Sequence, residues 1–226
     1  MMFGRAFALL RGNLGIVVPG LVVAFALSLV QLALEPADPL DDDLVRRILR
    51  LVAHVLGSII SIAYTTGMAD VAWSRGRATL ADGARAFRRD GNHVLVALLA
   101  LFAIGLVAAT LAAFTFGLSI AVYAFFCIYT MASAVAGERP GLVAIGESVD
   151  IAFRRPLPTL GLVAGIGLIA FGIGAVAELI SAAPFVGPLV ADVVIQVVIA
   201  YAALVIVGEY RLLREVPVCF RFPSAS

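Results

Sequence analysis

The side chains able to do chemistry in this sequence are few, and most are acids and arginines set inside or beside apolar runs. Asp192 precedes Gln196 by four residues, Glu178 lies near the end of the apolar run before them, and Arg46, Arg50, His54 and Ser58 recur at every fourth position. That spacing places each set on one helical face. An ionised group at the centre of a bilayer costs about 2.5 to 3.5 kcal/mol on insertion scales, so Asp192 needs a partner, water or a proton. Arg50, His54, Glu178, Asp192 and Gln196 all fall near the same end of the segments that carry them. Together they read as an outer polar vestibule for a solute or a proton. The competing expectation is structural: an ion pair, or arginines that snorkel from a helix end to headgroups.

Other chemistries lack their residues. His54 and His93 fall toward opposite faces of a membrane, and Cys127 and Cys219 lie in an apolar run and in the C-terminal tail. Neither a metal cluster nor a disulfide is expected, and no cofactor. The chain has no P-loop, dinucleotide-binding glycine fingerprint or GxSxG elbow, and no nucleophile pairs with a base, so no enzyme activity is expected. A net charge of +1 argues against a nucleic-acid surface.

What must position these residues is membrane architecture. The chain is 62% hydrophobic and 14% charged, with a mean hydropathy of +1.08, far from the balance of a soluble domain. Six apolar segments, at about 14–34, 51–73, 93–111, 118–136, 157–179 and 189–207, are each long enough as helices to cross a hydrocarbon core of about 30 Å. The first is too long for the apolar part of a cleaved signal peptide, so a retained anchor is the preferred reading. A short amphipathic helix precedes each pair of spans. Phe3, Phe7 and Leu10 mark the first; Leu80, Ala84 and Phe87 mark the second, over 79–89, with Thr79 and Asp82 spaced as a capping box. Ile145, Val149 and Ala152 mark the third, which Pro140 opens. The fold expected is therefore all-α and polytopic, three hairpins in units 1–73, 74–137 and 138–226, each preceded by an interfacial helix.

Arginine sets the orientation. Every basic residue is arginine, and Arg75, Arg77, Arg85, Arg88 and Arg89 crowd residues 74–92, which pins that loop to the cytoplasm. Alternation then places both termini there too, in a bacterial inner membrane, and leaves the acidic stretch 35–43 outside with Arg46, Arg47 and Arg50. Arg85, Arg88, Arg89, Arg154 and Arg155 are expected to meet anionic lipid headgroups, each contributing about 1 kcal/mol. Asp70 is expected to pair with the loop arginines. Ala53, Gly57, Ser61, Thr65 and Ala69 form a small-residue stripe that lets another helix approach closely, which makes the second span central, and Gly161 with Gly165 form a GxxxG pair. Tyr123, Cys127, Thr130 and Ser133 read as contacts between helices.

Three motifs give the chain a family likeness: F-x-x-L-R-x-N (Phe7, Leu10, Arg11, Asn13), G-x-A-T-L-A-D (Gly76 to Asp82) and AIGES-x-x-x-A-F (Ala144 to Phe153). With them it resembles the YciC-like bacterial membrane proteins and the membrane domain that precedes some glycerophosphodiester phosphodiesterases. The resemblance implies six spans and no established function, and the phosphodiesterase activity does not carry over. The leading expectation is a non-catalytic membrane scaffold, assembly or envelope protein. Its partners would be the bilayer, anionic lipids, and either another membrane protein or a second copy of the chain. A transporter or channel for a small solute or lipid is the alternative, and an intramembrane enzyme ranks third.

Overall fold

The structure, a computed structural model, describes residues 2–34, 43–181 and 187–215. Nine α-helices and no strand occur among them: α1 (Met2–Gly12), α2 (Val18–Ala33), α3 (Leu44–Arg75), α4 (Leu80–Ala112), α5 (Leu118–Cys127), α6 (Thr130–Val135), α7 (Gly141–Arg154), α8 (Pro156–Ser181) and α9 (Gly187–Glu215). Five stretches are long and apolar enough to cross a membrane: α3, α4, Leu118–Val135, Pro156–Leu179 and Val193–Arg214. The pair formed by α1 and α2, bent by 89°, is a sixth if it counts as one span. Leu168, Phe171 and Leu179 are about four-fifths exposed, a surface suited to lipid and not to water. The chain is a membrane-embedded helical protein. Most of the acidic stretch, the turn around Pro184 and the tail beyond Glu215 lie outside the described residues.

The small-residue stripe puts α3 in the middle, in contact with α2, α4, α6 and α9. Ser61, Thr65 and Ala69 are buried, and a Cβ on Gly57 would stand 2.9 Å from Val23 of α2. A closer approach lies off the stripe, where a Cβ on Gly67 would fall on the methyl of Ala86 in α4. Asp43 caps the start of α3 by accepting from the Arg46 N–H at 2.8 Å, and Gly76 ends it at φ 78°, a left-handed position that costs glycine nothing.

The three units differ in how their first helices sit. The separate interfacial helix expected over 79–89 is absent, since α4 runs unbroken through Asp90, Gly91 and Asn92 into the span. The reason is legible in a contrast. Phe87-Arg88-Arg89 and Phe153-Arg154-Arg155 are matching segments, but only the second is followed by proline. Pro156 cannot continue α7 and instead opens α8. In α4 nothing removes a backbone donor, and a helix entering lipid keeps its ladder. Its start has the capping box that the spacing predicts, with Asp82 accepting from the Thr79 N–H at 2.8 Å and hydroxyl at 2.7 Å.

The first helix is exposed over most of its length and packs one face on the bundle: Ala6 and Leu10 of α1 are buried against α9, and the Phe3 and Phe7 rings are exposed. The final helix also overruns the expected boundary near 207, reaching Glu215.

Candidate functional site

One end of the bundle, the basic end, carries the C-termini of α3 and α9, the N-terminus of α4, and all of α7. The opposite end carries the start of α3, the α4–α5 turn and the start of α9. The polar groups singled out in the sequence divide between these two ends.

At the opposite end, His54 and Gln196 come together. They line a groove of 440 Å³ between α2, α3 and α9, with Ser28, Ser58 and Ser61. The His54 Nδ1 lies 3.0 Å from the Arg50 carbonyl, and since a carbonyl only accepts, Nδ1 carries the proton. The Arg50 side chain is not part of the groove wall. Glu178 sits exposed on α8, which packs on α9 and not on the groove. Asp192 is on α9 one turn from Gln196, and its side chain lies outside the described residues. A Cβ on Gly20 would overlap the Gln196 amide, so glycine at this position in the α2 wall is what lets the amide sit there.

At the basic end, arginines line a second cavity, of 390 Å³, between α3, α4 and α6. Arg75, Arg85 and Arg89 face it along with Asp70 and Asp82. Most of these charges are already paired. Asp82 accepts from Arg85 and from its own helix cap. Arg89 holds Asp90 at 2.9 Å and Glu138 at 2.8 Å and donates to the Val135 carbonyl at 3.4 Å. Asp70 pairs with Arg211 of α9 at 2.6 Å, a partner at the far end of the sequence and not in the loop as expected. Arg75 has no ion-pair partner among the described residues. Of the other expected headgroup arginines, Arg154 pairs with Asp150 at 2.9 Å, while Arg88 and Arg155 are exposed and have no acid partner among the described residues.

Several polar residues that hold this end were not singled out for that role. Asn13, 6% exposed, donates to the Leu9 carbonyl at 2.8 Å and the Gly76 carbonyl at 3.0 Å, and accepts from the Ala78 N–H at 2.8 Å. It thereby fastens the α1 turn to the arginine loop. Glu147 of α7 accepts from Ser133 at 2.5 Å, Tyr210 at 3.2 Å and Arg139 at 3.3 Å. Ser148, fully buried, repairs the break between α5 and α6: it accepts from the Tyr129 N–H at 3.1 Å and donates to the Phe126 carbonyl at 2.7 Å. An interrupted span frees backbone groups that lipid cannot satisfy, and Ser148 satisfies two of them. The available signal lay in the three motifs themselves, since Asn13, Gly76, Ala78, Glu147 and Ser148 all belong to them. Of the four residues expected to join helices, Tyr123 donates to Leu101 of α4 at 3.1 Å, Ser133 reaches Glu147, and the Thr130 hydroxyl is buried with no hydrogen-bond partner among the described residues. Trp73 adds a long-range tie, donating to the Leu204 carbonyl at 2.6 Å beneath the Arg5 guanidinium, 4.7 Å from the ring.

The GxxxG pair sits apart from these sites. A Cβ on Gly161 would meet nothing within 4 Å, and one on Gly165 would stand 3.2 Å from the Phe3 ring of α1. Among the described residues no three His, Cys, Asp or Glu side chains gather as metal ligands. No protein-family model, curated protein or solved structure matches the chain.

Proposed function

We propose that this chain is a non-catalytic integral protein of the bacterial inner membrane, with a scaffolding, assembly or envelope role, which holds anionic lipid headgroups at its basic end. The observation that carries the reading is Arg75 in the 390 Å³ cavity, a guanidinium beside Arg85 with no acid partner among the described residues. An arginine fork takes two oxygens of a phosphate at once, and Asp82 across the cavity has its oxygens engaged by Thr79 and Arg85. Exposed Arg88 and Arg155 extend the same surface. In this reading α1 and α2 cross as one bent span, which makes six spans in three hairpins. The excess of arginine then puts the basic end and both termini in the cytoplasm.

The test is native mass spectrometry of protein released from nanodiscs holding equal phosphatidylglycerol and phosphatidylcholine. Retained phosphatidylglycerol, reduced several-fold in the Arg75→Gln, Arg85→Gln double variant, is expected. Equal retention of both lipids, or no change in the variant, would overturn the reading.

The second reading is a transporter or channel for a small solute or lipid. It is favoured by the succession of cavities along α3, from His54 through Thr65 and Thr66 to Asp70. Flux in proteoliposomes that Ser61→Leu abolishes would support it, and no flux across a panel of solutes and lipids would count against it.

A further inference from the structure

The groove that contains His54 and Gln196 borders a second cavity of different character. Ile62 and Ile199 line both, and beyond them 210 Å³ opens between α3, α9 and the α5–α6 break, walled by Ile128, Met131, Ala203 and Val207. One compartment is rimmed with hydroxyls, an amide and an imidazole; the next is almost wholly apolar. Among the described residues, no arginine, lysine, aspartate or glutamate lines either. Ser58, Ser61 and Gln196 make no side-chain hydrogen bond to any described residue, and Ser61 is only 8% exposed.

Depth matters here. Counting back along α3 from Arg75 at 1.5 Å per residue, His54 lies about 31 Å away, near the far boundary of a hydrocarbon core of about 30 Å, and Ile62 lies about 20 Å away. The polar compartment thus occupies the headgroup side of the distal leaflet, and the apolar one lies deeper, where the acyl chains of that leaflet run. In such surroundings polar side chains without partners are costly, and a ligand able to hydrogen-bond with them recovers that cost.

We infer that the two compartments form one binding site for an amphiphile with an uncharged head bearing hydroxyl or carbonyl oxygens. The head hydrogen-bonds Ser58, Ser61 and Gln196, and the hydrocarbon chain passes Ile62 and Ile199 into the apolar cavity. The volumes, 440 Å³ and 210 Å³, lie in the range of small-ligand sites. The absence of charge among the described lining residues separates this site from the arginine cavity at the other end, and the inference stands whether or not anionic lipids bind there. A glycerol-headed lipid and an isoprenoid quinone share the required chemistry, hydrogen-bonding oxygens on a neutral head.

The experiment is photolabelling of the whole protein in nanodiscs with a monoacylglycerol that carries a diazirine near its chain terminus. Saturable labelling of the segments around Ile128 to Ala132 and Ala203 to Val207 is expected. Unlabelled monoacylglycerol should compete, and lysophosphatidylglycerol, with the same chain and a charged head, should not. Competition by quinone together with monoacylglycerol, and at lower concentration, supports the same site and names quinone as its source. Ser58→Ala with Ser61→Ala should weaken labelling about tenfold, as expected for loss of two hydrogen bonds to the head. Ile62→Trp, which narrows the passage between compartments, should abolish labelling of the inner segment while the protein stays monodisperse. Labelling that is not saturable, that the charged lipid competes equally well, or that neither variant changes would overturn the inference.

Discussion

The two ends of this bundle are built on opposite plans. At the basic end, side chains tie together segments far apart in sequence: Asn13 to the arginine loop, Asp70 to Arg211, Trp73 to Leu204, and Glu147 to both Ser133 and Tyr210. The largest buried cluster, with Ile16, Met68, Leu204 and Tyr210, lies in the same half. At the opposite end, Ser119 bonds to Ala108 across the short α4–α5 turn and His54 bonds within its own helix. Leu44, Leu56, Phe114 and Leu118 are exposed there, and Ser58, Ser61 and Gln196 make no bonds to the rest of the described protein. Polar groups thus fasten the basic end, whereas these three at the opposite end are left open to a ligand.

The sharpest way to break this contrast is to crowd the fastened end. A Cβ on Gly208 would fall on the Trp73 ring, and that ring cannot swing aside without giving up its bond to Leu204. Gly208→Ala should therefore cost roughly 2 to 3 kcal/mol, or about 5 to 10 °C in thermal unfolding in detergent. Gly172→Ala, on α8 with nothing within 4 Å, should leave the midpoint unchanged or raise it slightly, because alanine is the better helix former. Equal losses in the two variants would show that the packing at Gly208 is not tight.

A smaller effect is expected at Asn13. Asn13→Ala would leave the Ala78 N–H and the Gly76 carbonyl without their partner in a part-buried site, at a cost of about 1 to 3 kcal/mol. Because the bonds join α1 to the arginine loop, proteolysis between Gly76 and Thr79 should quicken in the same variant. Unchanged cleavage with a lowered melting point would mean that Asn13 stabilises α1 alone.

Five of the spans, the cap at Thr79 and the central helix were legible in the sequence because each rests on a local cause. Thr79 and Asp82 are three residues apart, and Gly57, Ser61 and Thr65 share a face whatever surrounds them. The continuity of α4 and the break before α8 were legible too, had Pro156 been weighed against its absence after Arg89. The ties that join Asp70 to Arg211 and Asn13 to Ala78 were not, because they depend on which helices become neighbours, and periodicity within a helix says nothing about that. The vestibule shows both sides. His54 and Gln196 line one groove, whereas Glu178 was grouped with them on depth alone, and depth does not fix the side of a bundle on which a residue lies.

The finest test uses two serines that look alike by burial, Ser61 at 8% exposed and Ser133 fully buried. Ser133 donates to Glu147 at 2.5 Å, so Ser133→Ala leaves a carboxylate short of one donor and should cost about 1 to 2 kcal/mol. Ser61 donates to nothing in the described protein, so Ser61→Ala removes a hydroxyl that folding does not need and should change stability by less than about 0.5 kcal/mol. Burial alone predicts similar costs for the two, and a membrane environment would magnify both. Only the distinction between fastened and open polar groups predicts that they separate. If the two variants melt together, the opposite end is held as firmly as the basic end by contacts that hydrogen bonding does not reveal, and Ser61 loses its standing as a group kept for a ligand.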